Sequence, residues 1–154
     1  MPTSPFVVSG TVKDANSANV SGAIVQARNL NKGEYLPATA VSITNSVGEY
    51  TIDLANFTTA YTNGDLIRIY VYKPEQFATH EFAIRTGVGS ETKDFTTTTV
   101  TYAKPSEVAA LIGVRDSFTM FTVPNAVDIC QILYNGEGYI DNKTGHAWRS
   151  TTVT

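Results

Sequence analysis

A chain of 154 residues with formal net charge −3 and only 16% charged residues has room for one or two domains. It lacks the basic stripe or run that direct nucleic-acid contact requires. Its hydrophobic fraction of 42%, with eight tyrosines and seven phenylalanines, is enough for a core and excludes a disordered chain.

The N-terminal MPTSPFVV has no charged n-region and no long apolar stretch. Nowhere does the chain approach the roughly 18 apolar residues of a membrane span. The expectation is a soluble protein without a visible export signal.

From Phe6 to about Thr101, short β-rich segments alternate with turn residues: FVVSGTVKD, SGAIVQARNL, TAVSITN, GEYTIDL, DLIRIYVYK, FATHEFAIR and KDFTTTTVTY. This spacing predicts an antiparallel β-sandwich. In IRIYVY, Ile67, Ile69 and Val71 share one face and Arg68, Tyr70 and Tyr72 the other, which predicts one buried and one wet face. Turns are expected at Asp14–Asn19, at Asn45-Ser-Val-Gly48 and at Asn63-Gly64-Asp65. The Asp14, Asn16 and Asn19 set is read as a turn, because it lacks the glycine and terminal glutamate of a calcium loop.

Beyond Thr101 the composition changes. Lys104-Pro105-Ser106-Glu107 opens a short helix that Gly113 stops. A second start at Thr122-Val-Pro-Asn125 leads into a stripe of Ala126, Ile129, Leu133, Gly136 and Ile140, widened by Val127, Cys130 and Tyr134, and predicts an amphipathic helix of about five turns. Gly136 and Gly138 would weaken it by about 1 kcal/mol each relative to alanine, so close packing against another element is expected there. Thr144-Gly145 ends the helix, and an extended run with the single tryptophan, Trp148, follows.

The organisation read from this is a mainly β chain, with an immunoglobulin- or transthyretin-like sandwich over residues 1–101 and a two-helix module over 102–154. The module's expected core is Val108, Leu111, Ile112, Ala126, Ile129 and Leu133. So small a core predicts docking on the sandwich or on another subunit.

Chemistry is sparse. The single cysteine, Cys130, lies among apolar neighbours and reads as an inert buried thiol, and it excludes an internal disulfide. His80 and His146 fall in different modules without partners at metal spacing. The carboxylates Glu34, Asp53, Asp65, Glu81 and Asp94 stand singly near strand ends, and no nucleophile elbow, P-loop or dinucleotide motif occurs. The expectation is no enzyme, with no catalytic residue, cofactor or metal. Sequons begin at Asn19, Asn56 and Asn142, and they matter only in an exported protein.

Two stretches carry family resemblances. Val8-Ser-Gly-Thr-Val-Lys-Asp14, Val20-Ser-Gly-Ala-Ile-Val-Gln-Ala27 and Thr44-Asn-Ser-Val-Gly-Glu-Tyr-Thr-Ile-Asp-Leu54 together resemble the carboxypeptidase regulatory-like, transthyretin-like β-sandwich, over residues 6 to about 75. That resemblance implies the fold and leaves the function open.

Pro105 to Gly113, Phe118 to Thr122, Pro124, and Tyr139-Ile-Asp-Asn-Lys-Thr-Gly-His-Ala-Trp-Arg149 are similar to head–tail connector (adaptor) proteins of tailed viruses, over about residues 104–150. This second resemblance implies a ring between portal and tail. The chain departs from the connector pattern in stopping at Thr154 and in carrying the sandwich in front.

The expected function is therefore a structural virion protein, with further copies of itself and portal, capsid or tail proteins as partners, and with no sequence-specific nucleic acid and no membrane. Its assembly interface is placed at Trp148, His146, Arg149, Tyr139 and Ile140. Two fates of the tail stay open, completion by a neighbouring subunit or folding back onto its own helix. The alternative function is a carbohydrate- or surface-binding accessory module at the virion or cell surface, with Tyr35, Tyr61, Tyr70 and Tyr72 facing the ligand.

Overall fold

The computed structural model describes residues 4–113 and 118–145. In chain order the strands are β1 (Val7–Lys13), β2 (Ile24–Asn29), β3 (Glu34–Tyr35), β4 (Ser42–Ile43), β5 (Glu49–Asp53), β6 (Leu66–Lys73), β7 (Gln76–Ala83), β8 (Ser90–Thr92), β9 (Phe95–Thr96) and β10 (Thr98–Thr99). The helices α1 (Pro105–Leu111) and α2 (Ala126–Thr144) follow. Two sheets result, one ordered β5-β1-β8 with β9 also on β1, the other β10-β7-β6-β2-β3 with β4 also on β2.

Alternation along the strands builds the space between the sheets. Val8 and Val12 of β1, Val25 and Ala27 of β2, Ile52 of β5, and Ile67, Ile69 and Val71 of β6 all point into one buried cluster. The antiparallel registers Val8↔Ile52 and Val25↔Val71 set these side chains abreast. The mainly β sandwich followed by two helices is the architecture expected from the sequence.

One sheet contains parallel pairs, since β1 runs parallel to both β8 and β9. The predicted strand over KDFTTTTVTY is divided between the two sheets. Phe95 and Thr96 pair with β1, whereas Thr98 and Thr99 pair with β7. The crossing is made at Thr97, which is buried and whose N–H donates to the Lys13 carbonyl at 2.8 Å. A run of threonines carries no apolar alternation to announce such a corner.

Glycine and turn residues do local work. Gly48 has φ +79° in the turn before β5, and a Cβ there would lie 2.6 Å from the Val12 carbonyl oxygen. The Asp14 carboxylate accepts the N–H groups of Asn16 and Ala18, each at 2.9 Å, so this loop is the turn expected of it.

Candidate interaction surface

The outer face of the six-stranded sheet is where the sandwich meets the helices. Asn125 caps α2: its side-chain oxygen accepts the Asp128 N–H at 2.9 Å, while Asp128 accepts the Asn125 N–H at 3.1 Å. Gly145, in the left-handed region with φ +67°, ends the helix. Between these caps, Ala126, Val127 and Cys130 turn inward onto Tyr70, Phe77, Val100 and Met120, with Ile24, Tyr35, Tyr72, Phe118, Leu133 and Tyr134 at the margin. The seam follows the helical spacing, one side of α2 lying on β6 and β7.

This second core corrects the expected wet face of β6. Both faces of the strand are covered, with Tyr70 only 1% exposed beneath the helix. The alternation holds, but a period of two does not say what packs on the second face.

The same packing overturns the proposed ligand-facing tyrosines. Tyr35 is half-buried, and its hydroxyl accepts from Asn125 Nδ2 at 3.3 Å. Tyr72 lies against the second core, and burial raises its pKa. Tyr61 is buried in the sandwich, edge-on to Phe6, with its hydroxyl donating to the Ser4 carbonyl. Tyr61 and Tyr70 thus offer no open ring to a sugar, and Tyr35 and Tyr72 are half-buried at the edge of the seam.

Of the expected module core, Ala126 and Ile129 are buried and Leu133 packs at the margin, but Val108 is only half-buried. Leu111, at 86% exposed, and Ile112 face outward, because α1 buries Pro105 and Ala109 instead. A helix of two turns with apolar residues on several sides has no single stripe to read. Gly136 is also corrected: a Cβ there would meet nothing within 4 Å, so no close packing accounts for it. Tyr139, at 64% exposed, and Ile140 lie on the surface. Trp148, His146 and Arg149 lie outside the described residues.

Two carboxylates that the sequence reading passed over tie the linker to the helix. Glu137 is buried, and its Oε1 accepts the N–H groups of Thr101 at 2.6 Å and Tyr102 at 2.5 Å. One turn on, Asp141 accepts the Tyr102 hydroxyl. The available signal was position: 130, 133, 134 and 137 continue one helical face.

At the other end of the seam, Arg68, His80, Glu81, Asp128 and Gln131 line a cleft of about 390 Å³ beside Tyr70. Arg68 Nε donates to Glu81 at 2.5 Å. Burial would lower the Arg68 pKa, but hydrogen bonding by Glu81 and Tyr70 outweighs it and the net direction is upward. His80, on β7 in register opposite Ile69 of β6, is exposed. Cys130 is fully buried, and burial raises its thiol to about 11. Among the described residues, no three His, Cys, Asp or Glu side chains stand together as a metal site, and no helix is long and apolar enough to cross a membrane.

No family model matches the sequence, and no curated protein matches it. Solved structures do resemble it. Chlorocatechol 1,2-dioxygenase from Pseudomonas putida matches at 16% identity and TM-score 0.45, over 63% of this chain and 61% of that one. BcpA, the major pilin subunit of Bacillus cereus, matches at 12% identity and TM-score 0.46, over 62% of this chain and 30% of that one. (S)-allantoin synthase matches at 10% identity and TM-score 0.43, over 64% and 44%.

What the chain shares with these proteins is a β-sandwich. It spans less than two thirds of the length of each of the three.

The expectation of no enzyme is corrected on this finding. Catechol and hydroxyquinol 1,2-dioxygenases are among the similar structures, and the missing motifs do not exclude catalysis. At these identities the likeness shows the fold alone and assigns no reaction.

Proposed function

We propose that this chain is a structural protein that acts by assembly, of the head–tail connector kind found in tailed viruses, with copies of itself and neighbouring virion proteins as partners. The observation that carries the reading is the outer surface of the helical part. Leu111, Ile112, Phe121, Val123, Ile132, Tyr139 and Ile140 are all exposed there. Seven of the ten large hydrophobics exposed among the described residues fall within 111–140, and exposed apolar surface is where protein contacts form.

The connector resemblance over about residues 104–150 covers the same part of the chain. The accessory-module alternative loses two of its four tyrosines, Tyr61 and Tyr70, to burial. A docked helical part also suits an adaptor, because a rigid seam fixes the angle at which the sandwich projects from a ring.

Native mass spectrometry and electron microscopy of the intact chain test the proposal, beside a Leu111→Asp, Ile112→Asp double variant. A closed ring for the intact chain and a monomer for the variant are expected. An intact chain that stays monomeric at every concentration, or a variant that assembles equally well, overturns it.

A further inference from the structure

Along the outward side of α2, Asp128, Ile132, Gly136, Ile140 and Lys143 follow one another at spacings of four, four, four and three. They form a single stripe down the helix. Its middle is apolar, with Ile132 62% exposed, Ile140 45%, and Tyr139 beside them at 64%. Ile132, Leu133, Gly136 and Ile140 line a groove of about 280 Å³ together with Tyr102 and Ala103. Lys143 stands over the Tyr139 ring at 5.6 Å, which holds its charge on this side of the helix.

We infer that a second copy of the chain lays its own α2 antiparallel along this stripe, about a two-fold axis at Gly136. The inference names the partner for one face of the assembly surface, and it rests on the reading of that surface as a site of protein contact. Leu111 and Ile112 play no part in it.

Gly136 marks the crossing point. Glycine inside a helix is unfavourable, and nothing among the described residues uses its missing side chain, since a Cβ there would meet no atom within 4 Å. A bare backbone at the centre of an exposed apolar stripe lets another helix come close.

The stripe is also its own complement. A two-fold at Gly136 brings each position before it against the position equally far after it on the second copy. Ile132 then meets Ile140 of the second copy, and the same pair forms again on the other side of the axis.

Charge sets the direction. Asp128 lies eight residues before Gly136 and Lys143 seven after it, about 12 Å and 10 Å from the axis at 1.5 Å per residue. At the crossing of about 20° usual between such helices, the ends diverge by only about 4 Å, which a lysine side chain spans. Antiparallel pairing therefore sets Asp128 near Lys143 of the second copy, twice, and each positive helix N-terminus beside a negative C-terminus. Parallel pairing would set like charge beside like.

Gly136→Cys tests the axis, because a residue on a two-fold meets its own copy. Mild oxidation of the intact chain carrying it should give a disulfide-linked dimer, whereas Asn142→Cys, off the stripe, and the parent with its buried Cys130 should not. Gly136→Leu has open room within its own chain. It should weaken the dimer at least tenfold by sedimentation equilibrium while the far-ultraviolet circular dichroism is retained and the thermal midpoint of the monomer holds or rises. Lys143→Glu should weaken the dimer severalfold.

No cross-link with Gly136→Cys, an equal one with Asn142→Cys, or an undiminished dimer with Gly136→Leu overturns the inference, since another protein or the chain itself then covers the stripe. A ring that assembles without the cross-link sinks this inference and leaves the assembly proposal standing. A dimer cross-linked through Gly136→Cys that forms no ring at any concentration sinks the connector reading and leaves this one.

Discussion

Glu137 Oε1 accepts the backbone N–H of Thr101 at 2.6 Å, joining the exit of the sandwich to a helix turn 36 residues further on. The same oxygen takes the next N–H, that of Tyr102, and the carboxylate is buried. A linker that leaves a sheet has backbone donors with no ladder to join, and a buried donor left unpaired is costly. Glu137 supplies the acceptor, so it locks the orientation of α2 on β6 and β7.

Glu137→Ala should therefore lower stability by about 2 kcal/mol, the usual range for hydrogen bonds to a charged acceptor. Glu137→Gln, which keeps an acceptor oxygen, should lose less. Urea unfolding of the two variants measures the difference, and equal losses would count against the acceptor role.

Asp65 predicts an acid limb in the stability profile. It is buried beside Lys32, with its carboxylate accepting from Thr62 N at 2.9 Å, Thr62 Oγ1 at 2.7 Å and Asn29 Nδ2 at 2.7 Å. Burial alone would raise its pKa, but the Thr62 and Asn29 hydrogen bonds and Lys32 outweigh that and lower it from 3.8 to about 2. A depressed carboxylate stabilises the fold above its unfolded value, and that contribution fades as pH falls from about 4 toward 2. The shift corresponds to about 2 kcal/mol. In Asp65→Asn the decline between pH 4 and 2 should be shallower than in the parent, as read from urea midpoints across that window.

Gly10 lies in the middle of β1, where a Cβ would come 2.0 Å from the Lys93 carbonyl oxygen. Backbone blocks it, and that backbone is held in place by the Tyr50 hydroxyl on Lys93 O at 2.8 Å and by Asp94 on Thr11 N at 2.7 Å. Gly10→Ala should push the β8–β9 connection off β1 and destabilise by about 3 kcal/mol, the upper part of the range for overpacking. Thermal unfolding gives the answer, and an unchanged midpoint would mean that the connection yields easily.

Cys130 offers a probe of the seam. With its thiol raised from 9.0 to about 11, the native thiolate fraction at pH 8 is lower by about a hundredfold than in the unfolded chain. Reaction with a disulfide reagent should be at least that much slower before denaturant is added than after. Glu137→Ala should speed the native reaction, because a loosened helix opens more often. A native rate like that of the unfolded chain would show that the seam is not closed.

Much of the architecture could be read along the chain because its causes are local. Alternation in β6 put Ile67, Ile69 and Val71 on one face, Gly48 had to turn the chain, and Asn125 and Gly145 bracketed α2. Each depends on residues within a few positions of one another, so spacing and backbone preference suffice.

Distant packing decided the rest. Nothing near Tyr70 or Tyr72 states that a helix some sixty residues later will cover them. The threonines of 96–99 do not say which sheet each joins, and nothing local says that Ala109 will be buried while Leu111 stays exposed. Such choices are set by which surfaces remain uncovered once the strands have paired, and by where buried polar groups such as the Thr101 N–H can find a partner. Those are properties of the assembled chain, because they compare the burial of one segment with that of every other.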